Sequence, residues 1–168
     1  PLDKDLLTWR LYRLLPQLLA GHAVYAPLQR YLAGLGGATD TPPDPRRRFQ
    51  LAQQLADVLD GYQSYRADWL DAWAANKLVT TDPHHETWQS QLWRDLLADV
   101  SGGDAGAAMA SAAECASRSA VHQRFMQAMR TTGHDAANSP RPAGLPPRIT
   151  VFGISSLPLQ AVEALAAL

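Results

Sequence analysis

His84, His85 and Glu86 stand side by side, and histidines next to a glutamate are the side chains that ligate zinc and supply a general base. The HExxH arrangement needs a second histidine three residues after the glutamate, where Gln89 stands, and adjacent histidines point apart on a helix. We read the stretch as a polar helix start capped by Asp82, with Pro83 behind it. Ser155 in GISSL has the outline of a nucleophile elbow, but Leu157 fills the place of the second glycine in G-x-S-x-G. A strand-to-helix turn with an N-cap serine is the better account. GLGG at residues 34–37 lacks the Lys-Ser or Lys-Thr that would complete a phosphate-binding loop, so ATP hydrolysis by this chain has no support.

Charged groups on one long helix are more informative. Asp57 and Asp60 lie one turn apart, the spacing of a general acid/base pair, yet no third acid or histidine is placed beside them, and helix surfaces carry such pairs routinely. Arg46, Arg47 and Arg48 put three cations where a helix begins, opposing its dipole by about 0.3–1 kcal/mol each. A solvated face explains them, as does a phosphate or an acidic partner opposite. Arg66 falls about 180° from Asp57, inside an aromatic stripe, and burying its charge alone would cost several kcal/mol. Either it is paired or the helix breaks beside it. A break after Tyr65, with the next helix starting near Ala67 to Trp69, lets the guanidinium reach a carboxylate or a cleft.

These groups need helices to hold them. Residues 3–20 place Leu6, Leu7, Trp9, Leu11, Leu14, Leu15 and Leu18 at a period near 3.6, with Pro16 expected to kink or split the helix. A second short helix is predicted from Tyr25 to Leu32. After a loop at 34–45, with Asp44 as N-cap and Pro45 at the first helical position, the longest helix runs from Arg46 to about Tyr65. Its predicted core face holds Leu51, Leu55, Val58, Leu59, Tyr62 and Tyr65; its polar face holds Gln53, Gln54, Asp57, Asp60, Gly61 and Ser64. Helices are predicted at 68–75 and 85–100, the latter ended by Gly102, Gly103 and Gly106. An Ala-rich helix is predicted over 107–130, with Val121, Phe125, Met126 and Met129 as core candidates. A loop follows at 131–147. RITVFGIS at 148–155 reads as a buried strand, and Pro158 opens a last helix. One strand cannot make a sheet, so this unit needs a partner strand from elsewhere.

Composition limits the function classes. The 168 residues are 46% hydrophobic and 18% charged with a formal net charge of −1, which suits one ordinary globular core and gives no overall basic footprint. Nucleic acid, if bound, is met by a local patch or with help from other polypeptides. The lone Cys115 makes no internal disulfide and reads as a buried thiol in a reducing cytoplasm. No apolar run approaches the roughly 18 residues of a membrane helix, and no signal peptide is seen. The chain opens on Pro1 and stops within LQAVEALAAL, which reads as a fragment of something larger.

The succession TWRLYRLLPQLL, RRRFQLAQQLADVLDGYQSYRADWLDAW, TWQSQLWRDL, HQRFMQAM and GLPPRITVFGISSLPLQAVEAL resembles the RecC (gamma) subunit family of bacterial exodeoxyribonuclease V, in its N-terminal portion. The likeness is colinear and weak only at 34–45, 99–116 and about 131–143. It implies a superfamily 1 helicase-like fold without working ATPase motifs. Residues 1–145 would be a mainly α, helical 1B-like domain, and 146–168 the strand and helix that return to a 1A-like α/β core.

The resemblance also implies a non-catalytic subunit that works with RecB (beta) and RecD (alpha) type partners. It would handle duplex-end and single-stranded DNA, scan the strand for the regulatory Chi sequence, and hold no cofactor itself, ATP and Mg belonging to the partners. A membrane or small-molecule role is not implied, and the location is the bacterial cytoplasm. Positions that the family links to Chi recognition match here as Asp57, Asp60, Arg66 and Arg118. Val58 stands where leucine is usual and Gly61 where glutamine is seen, which removes an amide at that place. Proline often follows the arginine in the family, where Ala67 sits here, in keeping with a helix break. A helical adaptor that binds only protein is the alternative from another class; the balanced net charge favours it.

Overall fold

A computed structural model describes residues 2–33, 44–81, 83–101, 118–132, 148–152 and 157–168. The readings made on GLGG, Asp82, Cys115, the glycines after Val100, most of the 131–147 loop and Ser155 lie outside the described residues.

Asp3 caps α1 (Lys4–Gly21) by accepting the Leu6 N–H at 2.8 Å. Leu7, Leu11 and Leu15, four residues apart, are fully buried, whereas Leu6 and Trp9 are exposed. The helix continues through Pro16 instead of splitting. Pro16 sits on the solvent side, where water can satisfy the carbonyl that loses its donor. A 3₁₀ turn (Ala23–Tyr25) leads into α2 (Ala26–Ala33). Asp44 accepts the Arg46 N–H at 3.0 Å and Pro45 occupies the first turn of α3 (Pro45–Tyr65), as the sequence predicts.

The buried arc of α3 comprises Leu51, Ala52, Leu55, Ala56, Leu59 and Gln63. Val58 and Tyr65, expected in the core, are 45% and 67% exposed. The stripe is centred on the alanines: they have no side-chain bulk to hold α1 away, so α1 packs against them, and Val58 and Tyr65 fall at its edge. Gln63, fully buried, donates to the Leu2 carbonyl at 2.9 Å.

α4 (Ala67–Ala74) ends with Asn76 at φ 57° and the Lys77 N–H bonded to the Ala72 carbonyl at 2.8 Å, a left-handed cap that turns the chain back. α5 (Pro83–Val100) then packs on α4, burying Leu92, Trp93, Leu96 and Leu97 against Trp73 and Leu70. α6 (Arg118–Thr132) lies on α3 and α4, and α7 (Leu159–Ala166) lies on α6 and α3. Val121, a predicted core residue, is 44% exposed, and Phe125, Met126 and Met129 are only half-buried. The molecule is mainly α. The strand expected at 148–155 does not form over 148–152, where Phe152 is 94% exposed; no described segment offers a strand for it to pair with.

Candidate nucleic-acid interface

Arg66 stands at the joint the sequence anticipates. With φ −136° and ψ 47° it belongs to neither helix: its N–H closes α3 on the Tyr62 carbonyl at 2.9 Å, and its own carbonyl accepts the Trp69 N–H at 3.0 Å to start α4. The break releases the side chain from the stripe. The guanidinium spans both Asp68 oxygens at 3.1 and 3.0 Å and lies 3.8 Å from the centre of the Trp69 ring, 44% exposed. Paired and stacked in this way, the charge is held without being buried.

Arg66 opens onto a groove of about 1310 Å³ whose walls are the α3–α4 joint, α6 and α7. Three polar links set its shape. Asp71 on α4 accepts Ser119 Oγ at 2.7 Å and Gln123 Nε2 at 2.6 Å, and His122 on α6 meets Glu163 on α7 at 3.0 Å. Partial burial pushes the Asp71 carboxyl above its usual range, with the two hydrogen bonds offsetting part of that rise.

Arg118 brings a second charge to the α3 surface. Its Nη1 donates to Ser64 Oγ at 3.1 Å and its Nη2 lies 2.9 Å from Asp60 Oδ1. That carboxylate oxygen is buried and has no aligned hydrogen-bond donor, so the contact is an ion pair without hydrogen-bond geometry. Asp57 is occupied differently, by Lys4 from α1, whose ammonium is held protonated by that contact. Gly61 has open space around it: a Cβ there meets nothing within 4 Å.

The sequence-derived residues therefore divide. Asp57, Asp60 and Gly61 share the polar face of α3, Arg118 reaches onto it from α6, and Arg66 sits at its end in the groove. Val58 lies apart, lining a small apolar recess of about 220 Å³ with Tyr62, Trp88 and Leu92. Arg66 binds Asp68 instead of either Asp57 or Asp60. Sequence reasoning missed Ser64, Asp68 and Asp71 as partners. The i, i+3 spacing of Arg66 and Trp69 was a signal for their stacking; nothing in the sequence marked Gln63, which also receives the Arg118 N–H at 3.4 Å.

Glu86 is committed to the fold. Its buried carboxylate accepts the Trp73 indole N–H at 2.7 Å, the backbone N–H groups of Val79 and Thr80, and the Thr80 hydroxyl. Burial alone would raise its pKa, but the four donors outweigh it and hold the carboxyl at about 2. The residue clamps the α4–α5 turn, and no described group of three or more ligating side chains could hold an ion. No described helix is long and apolar enough to cross a membrane.

The chain is 34% identical over 166 residues to the RecBCD enzyme subunit RecC of Escherichia coli K12, covering 97% of this chain and 13% of that protein. It is 28% identical over 186 residues to the RecBCD enzyme subunit RecC of Haemophilus influenzae, covering 100% of this chain and 15% of the relative. It thus spans about one seventh of the length of these relatives. The family model described as "RecC, N-terminal domain" matches residues 1–168, end to end, and the chain belongs to that family.

Proposed function

We propose that this chain is part of a non-catalytic subunit of an ATP-dependent exodeoxyribonuclease V. In this reading it acts in double-strand break repair and recombination by guiding single-stranded DNA and reading Chi. Its partners are RecB- and RecD-type subunits in the bacterial cytoplasm, which bind the ATP and Mg. Residues 1–145 serve as the helical 1B-like domain. Residues 146–168 return to a 1A-like α/β core, whose strands supply the partner that RITVFGIS lacks and cover Phe152.

One observation carries the reading: a guanidinium stacked 3.8 Å over Trp69 at a helix break, beside a groove. An arginine so placed can leave Asp68 for a base edge, to which it donates two parallel hydrogen bonds. Asp60 and Arg118 extend the set along α3, and the acids repel phosphates, limiting the poses a passing strand adopts. They contribute specificity more than affinity. The test is Arg66→Ala and Asp60→Ala in the full-length chain assembled with its partners. Each should change Chi-dependent cutting while unwinding stays nearly intact; normal Chi response in both removes the assignment. The exposure of Phe152 and Leu159 favours, as a second reading, an adaptor that meets only protein. Anisotropy of a labelled single strand on the assembled complex separates the two, because substitutions in a pure adaptor would leave strand binding unchanged.

A further inference from the structure

At the far end of α3 from Arg66, three arginines have no part in the site above. Arg46 and Arg47 are exposed. The Arg48 guanidinium carbon lies 4.0 Å from the centre of the Tyr12 ring, and its Nε is buried without a hydrogen-bond partner among the described residues. None of the three makes an ion pair among the described residues. Asp44, the carboxylate at this end, is turned to the Arg46 backbone N–H.

α1 completes the patch. Trp9 is 61% exposed although Leu7 and Leu11 beside it are wholly buried. Its ring meets Phe49 at 5.5 Å and Tyr12 nearly edge-on at 6.1 Å. An indole braced by two other rings yet open to solvent is a platform on which a planar ligand stacks with little ordering of the protein. Arg48 stacks on Tyr12, but the exposed Arg46 and Arg47 only oppose the dipole of the helix they begin.

We propose that Trp9, Arg46, Arg47 and Arg48 form a second contact for single-stranded nucleic acid, with phosphates on the arginines and a base on Trp9. An acidic protein segment would answer the charges and leave the rings unused. Duplex DNA would answer the charges too, but its bases stay stacked on one another. A single strand uses both. The two ends of α3 lie roughly 30 Å apart at 1.5 Å per residue, and the face between them carries Gln50, Gln53 and Gln54, groups that hydrogen-bond to sugar or phosphate without demanding a sequence. The inference rests on the reading that this chain meets a single strand, and not on the Chi assignment.

The experiment uses the full-length chain assembled with its partner subunits and a 5-iodouracil-substituted single strand, with adducts mapped by mass spectrometry. An adduct at Trp9 is expected, and it should vanish in Trp9→Ala. Arg46→Gln/Arg47→Gln, both exposed and so neutral to folding, should lower the slope of log affinity against log salt by about 1.4, at about 0.7 for each phosphate no longer neutralised. Adducts confined to other sites with an unchanged slope overturn the proposal. So does a double variant that binds the strand normally but assembles poorly, which identifies an acidic subunit as the true occupant. Chi response of Arg66→Ala, measured on the same preparations, tells the two readings apart: a Chi defect with no Trp9 adduct sinks this inference alone.

Discussion

The helices α1–α5 and the pair α6–α7 are held by different forces. The first region is built on a buried apolar core: Leu7, Leu11, Leu15, Leu59, Trp73, Trp93 and Leu96 are at most 3% exposed, and polar links such as Tyr25 to Asp95 and Arg10 to Asp99 are added around it. In α6 the one fully buried side chain among those described is Ser119, and α7 has none. α6 attaches to the scaffold through polar links to Asp71, Gln63 and Ser64, and α7 to α6 through Glu163, beside the half-buried Phe125, Met126 and Met129. Hydrogen bonds exchanged with water contribute about 1 kcal/mol each, whereas burying a large apolar side chain contributes about 1.5–3 kcal/mol. The first region is therefore a scaffold, and the groove wall built on it is positioned but weakly bound.

Truncating Trp73 tests the scaffold hardest. Trp73→Ala opens a cavity at the junction of α4 and α5 and removes one of the donors to Glu86, so denaturant unfolding should show a loss of about 3–5 kcal/mol. A loss below about 1 kcal/mol would mean that α4 is not part of the core.

Glu86→Gln ranks next, at about 1–3 kcal/mol, because a neutral amide keeps the shape but brings two N–H groups to face four donors. Its pH signature is distinct. A carboxyl held at about 2 when folded, against 4.5 when unfolded, stabilises the fold above pH 4.5, and that contribution is lost as the pH falls towards 2. Melting temperature followed from about pH 6 to 2 should fall through this window in the parent, and less steeply in Glu86→Gln.

Asp71 carries the opposite sign and a smaller effect. Its folded pKa is raised, so its contribution is fully present below the unfolded value of 3.8 and declines as the pH rises through the folded one. Asp71→Asn should cost at most about 1 kcal/mol, since the carboxylate is only partly buried and screened by solvent, and the amide keeps one acceptor. The loss should be local: hydrogen exchange should speed up in α6 while α1 and α5 keep their protection. Uniform acceleration across all helices would contradict the division between scaffold and wall.

How much of this the sequence revealed depends on which force was at work. The break at Arg66 was legible because an unpaired charge in an apolar stripe has few solutions, and the structure uses two of them together, a helix break and a pairing with Asp68. The caps of α3 were legible in Asp44 and Pro45. The burial of α3 was misjudged at Val58 and Tyr65 because large side chains draw attention, whereas close helix packing is written in Ala52 and Ala56. Gln63 and Asp71 were not legible, since their partners Leu2, Ser119 and Gln123 are distant in the chain and polar residues carry no periodic signature. The likeness to RecC sequences reached further than periodicity, but it too left open which acid each arginine meets.

The smallest expected effect separates stability from reading. Gly61 sits inside α3, where glycine is about 0.5–1 kcal/mol less favourable than a good helix former, and the space beyond it is empty. Gly61→Gln should therefore stabilise the chain by about half a kcal/mol in denaturant unfolding, with no clash to offset the gain. In the assembled complex the same amide would stand on the polar face with Asp60 and Arg118, within reach of a passing base edge. If that face reads sequence, the preferred Chi sequence should shift although the protein is more stable, a combination that general damage to the fold cannot produce. If the variant is stabilised and its sequence preference is unchanged, position 61 on the polar face of α3 takes no part in reading sequence.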